Sequence, residues 1–309
     1  MINRILIRTK TVQTLFSYLL TQEDTSLNAA KKQLDDSLQQ GYDLYHALLC
    51  LVVDITRQQE LNLDYARNKY LPTEEDLNPN MRFVNNKFAE ALAASEELND
   101  YREQHGNVSW QGDFIVEILL NKIKESDLYK EYMDATYTDF SADAELWRSL
   151  LRHVVFPDPD FADALEVKSA YWPTDIESVS TFVLKTIRRW GQGEPQVLLP
   201  KYKDDEDAAF GQQLFDFVIN NKERYNEIID SCIDKETWDA QRIPFMDRVI
   251  LMTGIAEMLN FPKIPTQVTL NEYIELAKNY STANSGGFVN GVLHNLSRRF
   301  KEERLINKD

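Results

Sequence analysis

The sequence predicts an all-α protein, and three observations carry that reading. Val12, Leu15, Phe16 and Leu19 stand at the i, i+3, i+4, i+7 spacing of one buried helix face, and Val289, Val292, Leu293 and Leu296 do so near the other end. Alternation of period two, the mark of a half-buried strand, is not sustained anywhere. Helix breakers collect at a few places, with only ten glycines and ten prolines in 309 residues.

The first element is basic. Residues 1–22 hold Arg4, Arg8 and Lys10 and no acid. Arg4, Arg8 and Thr11 fall at i, i+4 and i+7, so a helix that begins this early carries them on one face. Gln13, Thr14 and Ser17 interrupt the apolar residues that follow, and no small-residue cleavage site comes after them, which argues against a signal peptide.

Further along, Leu44–Val53 and Leu214–Ile229 are apolar at helical spacing. Loops are expected at Leu71-Pro72-Thr73, at Phe156-Pro157-Asp158-Pro159, and from Gly191-Gln192-Gly193-Glu194-Pro195 to Lys203-Asp204-Asp205-Glu206-Asp207. The last is the best border, and its acidic run reads as a solvated loop. Trp147–Ile187 and Leu214–Leu251 also echo one another. Each passes from a helical stretch through an aromatic (Phe161, Tyr225) to a tryptophan (Trp172, Trp238) and a second apolar helix.

Composition excludes several classes. The chain is 43% apolar, and no window approaches the roughly 20 apolar residues of a membrane span, so a soluble, cytoplasmic protein is expected. Cys50 and Cys232 are too few for a disulfide framework. His46, His105, His153 and His294 are scattered, neither G-x-G-x-x-G nor G-x-x-x-x-G-K-[ST] occurs, and no carboxylate pair is singled out, so no catalytic residue, metal or cofactor is expected. The net charge of −16 opposes nucleic acid only if it is uniform. Residues 1–22 carry +3, and residues 241–309 have nine basic against seven acidic side chains, a net +2, which leaves −21 for residues 23–240. Positive ends are free to meet around an anion.

The C-terminal third is the most readable. Pro262 and Pro265 interrupt helix, and Thr269-Leu270-Asn271-Glu272 has the spacing of a capping box, which predicts a helix start near Leu270. Three glycines then crowd into NSGGFVNGVLHNL, Asn284–Leu296. Asn284 or Ser285 is suited to cap the helix that carries Val289–Leu296, which puts Gly286 and Gly287 in its first turn, where backbone N–H groups lack intrahelical partners. Without side chains there, a phosphate or a base has access to those N–H groups and to the positive end of the helix dipole, beside Phe288. The plainer alternative is a tight interhelical turn with Phe288 in the core.

These residues carry a resemblance. The order of an apolar helix (Val249–Leu259), a connection with Pro262 and Pro265, the run Asn271-Glu272-x-Ile274-Glu275-Leu276-Ala277-Lys278 and then Phe288-Val289-Asn290-Gly291-Val292-Leu293 is similar to the C-terminal half of the NusB family. Arg8-Thr9-Lys10-Thr11-Val12-Gln13-Thr14-Leu15-Phe16 resembles that family's basic first segment. The resemblance implies a NusB-like helical bundle with an additional helical central region. Residues 1–40 would supply the basic segment and first helix, 41–205 an acidic, mostly helical insertion, and 206–309 the C-terminal helical domain. It further implies a non-enzymatic transcription antitermination factor without cofactor. Its partners would be single-stranded boxA-like RNA of ribosomal leaders, the ribosomal protein NusE, and the RNA polymerase antitermination complex with other Nus factors. The RNA contacts implied are Arg4, Arg8, Lys10, Thr11, Asn284, Ser285, Gly286, Gly287 and Phe288. Two alternatives stay open: a protein-interaction scaffold of the same fold that binds no RNA, and, remotely, a ribosomal RNA methyltransferase subunit.

Overall fold

A computed structural model describes residues 1–21, 24–232 and 243–308. Among them lie fifteen α-helices and no strand, so the chain is all-α. The chain divides into two compact units, Ile2–Leu38 with Tyr202–Asp309, and Gln39–Lys201 with Met1. The helices in chain order begin with α1 (Arg4–Leu20) and α2 (Leu27–Arg67). Next come α3 (Glu74–Leu77), α4 (Lys87–Ala93), α5 (Glu96–Gln104), α6 (Phe114–Glu125), α7 (Asp127–Asp134), α8 (Phe140–Leu150), α9 (Pro159–Lys168) and α10 (Trp172–Gly191). The last five are α11 (Asp205–Asn220), α12 (Lys222–Ser231), α13 (Phe245–Asn260), α14 (Thr266–Tyr280) and α15 (Ser285–Glu302). No helix among the described residues is long and apolar enough to cross a membrane.

The terminal unit is built around α13. Every residue from Val249 to Met258 is buried, as expected of a helix that is apolar nearly all round. α1 packs on α11 and α13, and α11, α12, α14 and α15 also pack on α13. The first helix begins at Arg4, early enough to include Arg4, Arg8 and Thr11, and Asn3 Oδ1 caps it by accepting the Leu6 N–H at 2.9 Å. Its apolar stripe grades outward, with Val12 and Leu15 buried and Phe16 and Leu19 half-buried. α1 and α11 approach closely at Gly211, where a Cβ would meet Ile7 Cγ2 at 2.9 Å.

Two local expectations are corrected. The capping box at Thr269 does not form, because α14 starts at Thr266. The Pro265 carbonyl already accepts the N–H groups of Val268 and Thr269 at 3.0 and 3.2 Å, so Thr269 has no free amide to cap with. The acidic run at 204–207 is no loop either. Asp204 caps α11 by accepting the Asp207 N–H at 2.9 Å, and Asp205, Glu206 and Asp207 form the first helical turn, where negative charge meets the positive end of the dipole.

The Gln39–Lys201 unit has its own core, with Trp110, Trp147, Trp172 and Trp190 all fully or almost fully buried. The two stretches that echo in sequence fall on α8–α10, of 11, 10 and 20 residues, and on α11–α13, of 16, 10 and 16, so the helix lengths do not repeat; Trp238 of the expected echo lies outside the described residues. Within this core His46 is stacked on Tyr101, ring centroids 3.6 Å apart, and its Nδ1–H donates to the Tyr42 carbonyl at 2.9 Å. Burial disfavours its charged form and lowers its pKa to about 4, against 6.5 for the free side chain.

The unfolded chain therefore binds a proton at His46 that the folded chain refuses. The stabilising contribution is complete above pH 6.5 and is lost as pH falls toward 4. Urea denaturation should show His46 costing about 1 kcal/mol between pH 7.5 and 5.5. The His46→Gln variant should lack that part of the slope, and an identical slope in both proteins would contradict it.

Candidate nucleic-acid interface

The structure sorts the basic residues of α1 by depth. Arg4, half-buried, donates from Nε to Asp207 Oδ1 at 2.6 Å, and its guanidinium lies over the Phe210 ring, 5.3 Å from the centroid. Arg8, one turn on, is 3% exposed. Its Nε and Nη2 donate to the two carboxylate oxygens of Glu257 at 2.7 and 3.0 Å. The same two oxygens accept Thr269 Oγ1–H at 2.8 Å and Tyr273 Oη–H at 3.0 Å. Burial opposes the charge on Arg8, but the hydrogen bonds and field of Glu257 outweigh it and raise its pKa. The Tyr273 phenol is pushed well above its usual range, by burial first and then by the Glu257 charge.

Phosphate contact by Arg8, as expected from sequence, is therefore replaced by a structural role: the guanidinium fork is consumed by a carboxylate inside the core. Thr11 is also buried, its Oγ1–H given to the Ile7 carbonyl at 2.8 Å and its side chain facing Gly211. Lys10 is 1% exposed. Neither reaches solvent, so of the four α1 residues only Arg4 is accessible to a ligand.

At α15 the division runs through consecutive residues. Asn284 occupies the N-cap position and is exposed, although its side chain makes no capping bond. Ser285 is buried: its Oγ–H points to Asp247 Oδ2 at 2.8 Å, and the oxygen accepts the Thr282 N–H at 3.1 Å. Gly286 is covered by the stem of Lys278, and a Cβ there would lie 2.7 Å from Lys278 Cγ. Gly287 is exposed with nothing within 4 Å of a Cβ position. Among the described residues neither the Gly286 nor the Gly287 N–H meets an acceptor. Phe288 is half-buried beside them. The cation nearest in sequence pattern is Lys278, exposed and held by Glu275 at 2.6 Å.

Both clusters hang from α13. Glu257 anchors Arg8 and Asp247 anchors Ser285, ten residues and about 15 Å apart along the helix axis. The phenyl rings of Phe16 and Phe245, centroids 5.4 Å apart, join α1 to the Asp247 end of α13. Sequence reading missed Glu257 and Lys278 as parts of this site. Glu257 was detectable as the lone acid within the apolar run Val249–Leu259, since a charge on a buried helix demands a partner.

The NusB family profile matches residues 183–298. The transcription antitermination protein NusB of Dictyoglomus thermophilum is 37% identical over 103 residues, which cover 33% of this chain and 69% of that protein. The chain belongs to the NusB family. The proteins of the same name from Salinibacter ruber (35% over 112 residues, 36% of this chain and 69% of theirs) and Thermodesulfovibrio yellowstonii (39% over 106, 34% and 67%) agree. No solved structure matches the chain. The profile match ends within α15 of this NusB-family chain, includes Asn284–Phe288, and leaves out the Arg4–Thr11 segment.

Arg8→Ala strands the Glu257 charge in the core and should cost about 3–5 kcal/mol in a chemical denaturation experiment. The two glycines separate cleanly. Gly287→Ala should leave the melting temperature unchanged or slightly higher, because the site is open and alanine favours helix. Gly286→Ala should lower it, because Lys278 must move. Equal effects at both positions would refute the assigned packing.

Proposed function

We propose that this NusB-family protein is an RNA-binding transcription antitermination factor. Its target is single-stranded, boxA-like leader RNA, which it holds together with the ribosomal protein NusE in an RNA polymerase complex with other Nus factors. The observation that carries the reading is the start of α15, where two glycine amides without acceptors stand between an exposed Asn284 and a half-buried Phe288. A phosphate oxygen accepts from such amides and is favoured by the helix dipole, while an unpaired base stacks on the phenyl ring. Lys278 adds a cation beside Gly286 once it leaves Glu275.

Binding here needs only hydrogen bonds, stacking and charge, with no covalent step. Arg8 takes part as a positioning residue: it fixes α1 against α13, from which α15 is also held. Ser285 positions in the same way through Asp247. The few charges at this site make binding by the isolated protein weak and strengthen the need for a partner.

Fluorescence anisotropy of a labelled boxA oligonucleotide, with and without NusE, tests the proposal. Phe288→Ala should weaken binding about tenfold, the usual scale of one lost base–aromatic stack. Its melting temperature should fall little, since the ring is only half-buried. Absence of binding at low salt, with and without NusE, refutes the reading.

A further inference from the structure

The Gln39–Lys201 unit carries 16 Lys and Arg against 28 Asp and Glu, a net −12. Within it, one groove of about 680 Å³ between α8 and α10 has no acidic residue in its lining. One bank presents Arg148 and Arg152, from the end of α8 and the turn that follows it. The other presents Lys185 and Arg188 of α10, with the Thr181 hydroxyl at one end. Arg148 is shared with Glu145 through two bonds of 2.7 Å. Arg152, Lys185 and Arg188 are exposed and, among the described residues, have no carboxylate within 4 Å. What sets the groove apart is that three such cations line one channel together with no carboxylate in its lining, on a unit of net negative charge.

The backbone supports the same wall. Leu151–Val155 forms a π-helical turn, closed by the Phe156 N–H on the Leu151 carbonyl at 2.8 Å, and Pro157 and Pro159 prevent its continuation as regular helix. Such turns are rare and reset the direction in which side chains point. Here the turn carries Arg152 and delivers a half-buried Phe156 into the groove lining.

We infer that this groove is a second, sequence-independent binding track for single-stranded RNA, in which the facing cations hold consecutive phosphates and Phe156 receives a base. The inference takes RNA as the ligand and so rests on the RNA-binding reading above, but it concerns other residues in the other unit. Successive cations on each bank are about one helical turn apart, roughly 6 Å along the axis for Arg148 and Arg152 and roughly 4.5 Å for Lys185 and Arg188. A strand with one phosphate per nucleotide meets such a series at every step, whereas an acidic peptide does so only where its acids recur. The aromatic and the guanidinium planes also suit bases, which stack without regard to sequence.

The test uses the full chain and the variant Arg152→Gln/Lys185→Gln/Arg188→Gln. All three positions are exposed, so its melting curve should overlay that of the parent. The probe is a labelled 30-nucleotide oligouridine, titrated at several salt concentrations. Three lost phosphate contacts should lower the log–log salt slope by about 2 and weaken binding more than tenfold at low salt. Phe156→Ala should weaken it several-fold without altering the slope. Unchanged affinity and slope in the triple variant overturn the track. Loss of binding to an oligoglutamate peptide with oligouridine binding intact overturns it in favour of an acidic protein ligand. Phe288→Ala separates the two readings: it should reduce boxA binding and spare the oligouridine slope. A track failure with Phe288 still required leaves the first site standing.

Discussion

The terminal unit depends on one buried carboxylate. Glu257 is fully inaccessible to solvent and accepts four hydrogen bonds, two from Arg8 on α1 and one each from Thr269 and Tyr273 on α14. A carboxylate without partners in this place would be intolerable, and a single ion pair barely offsets the desolvation of both groups. The full set of donors makes it tenable, and the geometry demands arginine, since only its planar fork reaches both oxygens at once. The result is geometric as much as energetic: three helices are fixed in register by one side chain, and a sliding of any of them by a turn would leave the charge unpaired.

Register at that end carries to the other. α13 is rigidly enclosed, and its Asp247 end holds Ser285 at 2.8 Å, so the first turn of α15 is located by the same post that locates α1. The alternation of roles from Asn284 to Phe288 then has a simple cause. Ser285 and Gly286 face inward, where one must reach Asp247 and the other must admit the Lys278 stem, while Asn284 and Gly287 face solvent. The first-turn amides of Gly286 and Gly287 point along the helix axis and have no protein acceptor among the described residues, and a fixed, unsatisfied donor set is what anion recognition requires.

Sequence made the helices legible wherever apolar spacing was strong, as in α1, α13 and α15, and it located the α15 start through Asn284 and the paired glycines. It misjudged elements whose fate is set by contacts distant in the chain. The T-x-x-E pattern at Thr269 is a real local preference, overridden because Pro265 starts the helix earlier and Glu257 claims the Thr269 hydroxyl. The run from Asp204 to Asp207 looks like a loop by composition, yet acids at a helix start are favourable and Asp207 also takes the Arg4 guanidinium. Arg8 shows the limit most clearly. A basic residue near the chain start reads as surface, and nothing local reveals that its partner is 249 residues away.

Net charge misleads in the same way, because a total describes no particular surface. At physiological ionic strength a charge is felt over about 8 Å, so the α8–α10 groove is governed by its own lining and by Glu145, held on Arg148, more than by carboxylates farther off on the unit. The acidity around it then acts as a filter. A polyanion that approaches the carboxylate-rich parts of the Gln39–Lys201 unit is repelled, and the same polyanion entering between Arg152 and Arg188 is not. Non-specific adhesion to nucleic acid, the usual cost of a cationic surface, is thereby suppressed while one channel stays attractive. An acidic unit and an RNA-binding role are thus compatible on physical grounds: the excess of carboxylates confines binding to the place where they are missing.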